Sequence, residues 1–158
     1  MTHLFRAALC LFFALVAGCS GHGRRFAEAS RMDVKRLPYE GAYSGRWTSA
    51  SHPGSGGSLR CILTKLNGTG PDFRADFHAT WHGLSSGHSV VLNTKPARPQ
   101  KPGLVNFEGT SKLDTIIGAG TYACKGAMDD RLIRACYDAT YDRGTFEMTR
   151  VTTKTDGR

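Results

Sequence analysis

From residue 42 onward the chain alternates apolar and polar side chains in runs of about eight to eleven residues, each cut by turn formers. Side chains two apart share one side of a strand, so Phe73, Ala75, Phe77, Ala79 and Trp81 make an apolar side opposite Arg74, Asp76, His78, Thr80 and His82. Ile133, Ala135, Tyr137, Ala139 and Tyr141 repeat the pattern against Arg134, Asp138 and Thr140. The runs predict strands over Ala42 to Ala50, Gly57 to Leu66, Phe73 to His82, His88 to Thr94, Leu104 to Lys112, Gly118 to Lys125, Leu132 to Asp142 and Thr145 to Thr152. Between them lie HPGSG, NGTGPD, GLSSG, KPARPQKPG, LDTI, GAMDD and a tight Asp142-Arg143-Gly144 turn, all short enough to join antiparallel neighbours. One apolar face per strand, repeated eight times, predicts an all-β fold: a small antiparallel eight-stranded up-and-down barrel, which leaves no open edge. A two-sheet β-sandwich is the alternative.

The residues ahead of the strands follow other rules. Arg6 precedes an apolar stretch from Ala7 to Ala17, the length of a secretory signal core and too short to cross a bilayer. It ends in Leu15-Val16-Ala17-Gly18-Cys19, which resembles the lipobox of bacterial lipoproteins. The resemblance implies a diacylglycerol on the Cys19 thiol, cleavage just before it and acylation of the new amine, and several acyl chains anchor a protein stably. Ser20, standing where Asp would mark inner-membrane retention, implies the outer membrane. An outer-membrane barrel would make that anchor redundant and would have to turn its apolar face to lipid. Ser20 to Gly41 holds five basic and three acidic residues and no sustained apolar face; a helix over Phe26 to Val34 would pair Phe26 only with Ala29 and Val34. The predicted organisation is therefore a signal peptide (1–18), a flexible lipidated tether (19–41), the barrel (42–152) and a polar tail (153–158).

Within the barrel, Gly45-Arg46-Trp47 near the start and Arg150 near the end together resemble the calycins, meaning lipocalins, avidins and small bacterial metalloprotease inhibitors. In that superfamily a first-strand Trp packs at the closed end beneath a last-strand Arg or Lys, which implies a Trp47/Arg150 closing pair. The Cys61 of Arg60-Cys61-Ile62-Leu63 matches a second-strand Cys of the inhibitors. With only Trp47 and Trp81, the chain lacks the several tryptophans of a biotin site.

Composition narrows the functions. At 158 residues there is room for one core, and 40% hydrophobic content is too apolar for a disordered chain. The formal charge of +8 permits contact with acidic surfaces, but nucleic acid is not expected outside the cytoplasm. Lys95 to Pro102 holds three of the six prolines and the cations Lys95, Arg98 and Lys101 without a carboxylate, making it a candidate interaction loop.

Three cysteines remain after Cys10 and Cys19. Cys124 and Cys136 are equidistant from the Asp130 hairpin tip and are the first disulfide candidates; alternation sets them on opposite sides, so Cys61 to Cys124 across the interior competes, with one buried thiol left over. His78 and His82 have the spacing of a helical metal pair, but four strand residues span about 13 Å, so no metal is expected. Asn67-Gly68-Thr69 reads as a turn and Asp129-Asp130 as a solvated hairpin tip. Gly54-Ser55-Gly56-Gly57 lacks the Lys-Ser/Thr of a phosphate loop, and no nucleophile sits in a strained turn.

The sequence thus predicts a lipid-anchored, non-enzymatic protein of the bacterial envelope without a cofactor, acting by loop-mediated contact with an envelope partner. The alternatives are a carrier of a small apolar ligand in the barrel and an inhibitor of an envelope protease or hydrolase.

Overall fold

The computed structural model describes residues 21–35, 37–67, 72–97, 102–115 and 118–153. Eight strands follow in chain order: β1 (Gly41–Ser49), β2 (Gly56–Lys65), β3 (Phe73–Trp81), β4 (Leu84–Pro96), β5 (Val105–Thr115), β6 (Gly118–Met128), β7 (Leu132–Ala139) and β8 (Asp142–Arg150). Each pairs antiparallel with the next, and β8 returns to β1, so the sheet is a closed up-and-down barrel and the sandwich alternative is excluded.

Alternation decides which side chains fill it. Tyr43, Cys61, Leu63, Ala75, Phe77, Val90, Leu92, Phe107, Met128, Ile133, Phe146 and Met148 point inward and are buried. In the half nearest the start of β1, Tyr43, Leu63, Leu92, Met128, Ile133 and Met148 are all fully buried, and at its end a cavity of about 260 Å³ lies between residues 37–40 and Lys65, Phe73, Thr94 and Val105. Residues 37–40 run across this end and are tied down by Arg150. Its guanidinium donates to the carbonyls of Pro38 (2.8 Å), Leu37 (3.1 Å), Glu40 and, from the β6–β7 turn, Asp130 (3.4 Å). Beneath it the Tyr43 hydroxyl donates to Tyr39 O at 2.7 Å.

This corrects the expected Trp47/Arg150 pair. Arg150 stands opposite Tyr43 in the β1–β8 register, with Cζ 6.0 Å from the ring centroid, while Trp47 stands opposite Phe146 towards the other end. Two hairpins also differ from expectation. β3 and β4 meet through His82-Gly83 alone, with φ of 45° and 80°, the left-handed pair that a two-residue hairpin demands. Leu84 to Gly87, expected to be loop, is already strand. β7 ends at Ala139 and turns over Thr140-Tyr141, so Asp142, Arg143 and Gly144 belong to β8. Gly144 serves packing there: a Cβ on it would lie 2.8 Å from the Tyr137 hydroxyl.

The segment expected to be a tether is partly built into the wall. Residues 21–29 form a helix, α1, lying outside β2 and β3. Ala29 packs with the outward-facing Ala42 and Ile62, and Phe26, Met32 and Val151 complete a second small core. Arg25 pairs with Asp76 at 2.5 Å, the His22 ring lies 4.8 Å from that of His78, and Arg60 covers Phe26 at 5.3 Å.

Candidate functional site

The end opposite the Arg150 closure is open. Trp47 of β1, Leu59 of β2, Phe77 and Ala79 of β3, His88 of β4, Tyr122 of β6, Tyr137 of β7, and Asp142 and Phe146 of β8 line a cup of about 180 Å³. Every one of them is an inward position, so the same alternation that fills the closed half builds the cup. Its width comes from rings braced on one another: Phe77 against His88 at 5.3 Å, His88 against Tyr122 at 4.5 Å, Tyr122 against Tyr137 at 6.1 Å, and Tyr137 against Trp47 at 6.5 Å. Gly57 makes room for the indole. A Cβ there would stand 2.9 Å from Trp47 Nε1, which instead donates to Thr80 O at 3.3 Å.

Two polar groups break the apolar lining. Asp142 accepts from Ser49 Oγ (2.6 Å) and from the Tyr137 hydroxyl (2.7 Å). Burial pushes its carboxyl up, but the Ser49 and Tyr137 hydrogen bonds outweigh that and hold it below the usual carboxylate range. His88 is the second. Its Nε2 is buried without a hydrogen-bond partner among the described residues, and burial pulls its pKa down to about 4, so it faces the cup as a neutral imidazole. Sequence reasoning misses His88, because it starts the strand there rather than at Leu84. The available signal is a lone polar residue in phase with Val90 and Leu92.

The predicted site residues scatter. Cys124 faces the interior opposite Tyr137, Cys136 faces outward opposite Lys125, and Cys61, Cys124 and Cys136 are all free thiols, which corrects the Cys124–Cys136 pairing. The competing Cys61–Cys124 bond is not formed either. Burial raises Cys61 well above the ordinary thiol value and Cys124 to about 11, so both stay protonated and are poor nucleophiles. His78 stacks on α1 while His82 occupies the β3–β4 turn beside Trp81, and the two share no site. Asp129 accepts from the backbone of Arg131 and Leu132, each at 2.8 Å, as a turn former does. Lys95 is in β4, ion-paired with Glu108 at 2.9 Å; Arg98, Lys101 and Cys19 lie outside the described residues. Among the described residues no three His, Cys, Asp or Glu groups gather as for a metal, and no helix is long and apolar enough to cross a membrane.

Around the mouth three large apolar side chains stand in solvent: Trp81 (44% exposed), Leu84 (55%) and Tyr141 (51%). No protein-family model, no curated protein and no solved structure matches the chain.

Proposed function

We propose that this is a lipid-anchored, non-enzymatic binding module of a bacterial cell envelope, a calycin-like barrel acylated at Cys19 and held on the outer membrane. Its open end takes one compact apolar group. The carrying observation is the open end itself, a ring-walled cup of about 180 Å³ onto which His88 presents a buried Nε2 without a partner among the described residues. An apolar cavity of about 150 Å³ holds benzene, whereas drug-sized ligands need roughly 300 to 1,000 Å³. The size suits one ring or a chain end and excludes a whole lipid. The cup favours this reading over loop-mediated contact, because one of the three loop cations, Lys95, is already paired with Glu108.

Benzene, toluene and cyclohexane are the probes, read by the emission of Trp47 in a Trp81→Phe background. A probe at ten times its Kd raises stability by about 1.4 kcal/mol through its preference for the folded state. Ala79→Phe, which fills the cup, abolishes both responses. Absence of any shift in emission or melting with all three probes would overturn the assignment.

A further inference from the structure

We infer that the open end of the barrel faces the membrane, with Trp81, Leu84 and Tyr141 seated in the interfacial region of the bilayer. The inference rests on the anchor at Cys19 proposed above and adds the orientation that follows from it.

The course of α1 supplies the direction. Its last turn is fixed beside the closed end: Thr153 N donates to Ser30 O at 3.1 Å, and Ala29 packs on Ala42, the second residue of β1. Its first turn lies beside His78, three residues before Trp81 on β3. The helix therefore climbs the wall from the closed end towards the mouth. Two contacts hold it there, the Arg25–Asp76 pair and the Phe26 ring under Arg60. Gly21 is thus delivered at the level of His78, about 10 Å along the strand from the rim. Cys19 is two residues further on, and two residues reach at most about 7 Å. While α1 is docked, an anchor on so short a lead cannot let the barrel turn over.

The rim is suited to what it would meet. Trp and Tyr favour the membrane interface because their rings are apolar and their N–H or O–H remains hydrated. Three large side chains near half exposure are otherwise an unsatisfied apolar edge. The occupant of the cup would then arrive from the lipid side, as a ring or chain end leaving the interface.

The test uses full-length acylated protein in vesicles of three parts phosphatidylethanolamine to one part phosphatidylglycerol, with acyl chains brominated near the headgroup. Intact mass establishes acylation first. In a Trp47→Phe variant, where Trp81 alone reports, bromination removes more than about half the emission; in Trp81→Phe, where Trp47 reports from inside the cup, the loss is several-fold smaller. A second measurement uses the Trp47→Phe variant and an aqueous quencher: iodide quenches Trp81 about threefold less on vesicles than in a soluble protein that also carries Cys19→Ser. Acylated, vesicle-bound protein whose Trp81 is neither quenched by bromine nor shielded from iodide overturns the orientation while leaving the anchor standing. A mass without acyl chains on Cys19 overturns the anchor, and the orientation with it.

Discussion

His88 stacks on Phe77 and meets Tyr122 edge-on, with a pKa of about 4 against 6.5 for a free imidazole. Above pH 6.5 the ring is neutral in both folded and unfolded chains and adds no pH dependence. As the pH falls from 6.5 towards 4 the unfolded chain takes up a proton that the folded one refuses, so stability falls through that window. The full cost is about 3 kcal/mol, since each tenfold loss of proton affinity is worth about 1.4 kcal/mol. His88→Gln should flatten the urea midpoint between pH 6.5 and 4; an equal acid loss in the variant would assign the effect to other groups. Arg150 marks how far a sequence reaches at this scale. Alternation correctly turns Tyr43, Trp47 and Arg150 to one side, but it sets faces and not register. Which aromatic lies under the guanidinium depends on a four-residue shift along β1 that no local pattern encodes, and the register selects Tyr43.

Among the elements, the eight strands are legible because each repeats its own alternation, and their ends are less so. Gly144 has the character of a turn residue and is a packing residue under Tyr137; Ser85, Ser86 and Gly87 have the composition of a loop and are strand, because His82-Gly83 suffices to reverse the chain. α1 is illegible from its own residues. Its buried face is little more than Phe26 and Ala29, and its partner is the pair Ala42 and Ile62, apolar residues on the outward side of β1 and β2. The interruption of alternation in Cys61-Ile62-Leu63 is the clue. A helix held by so small a face detaches before the barrel melts. Phe26→Ala should cost docking about 1.4 kcal/mol, giving roughly tenfold faster tryptic cleavage at Arg24 and Arg25. The barrel's thermal midpoint should stay within about 2 °C. A parallel fall in that midpoint would mean that α1 belongs to the barrel's cooperative unit.

For the whole molecule, the three free thiols report on opening. Cys136 stands outside on β7, whereas Cys61 and Cys124 are reached only when the closed sheet parts. A thiol reagent should modify Cys136 at the rate of an open thiol and the other two at least about a thousandfold more slowly, as expected if only global unfolding exposes them. Two fast thiols would reveal a local opening at β2 or β6. The closed circuit itself is predictable, since eight single-faced strands with short links have few other solutions. Its seam has a consequence for how the chain is made. Tyr43 must find Arg150, more than a hundred residues later, so β1 keeps a bare edge until β8 has been synthesised. Seven hairpins can form as they emerge, but the final seam has a long loop to close and sets the folding rate. During that interval the edge of β1 is open to any other extended chain nearby. A cell making this protein has reason to keep it bound to a chaperone until β8 is complete.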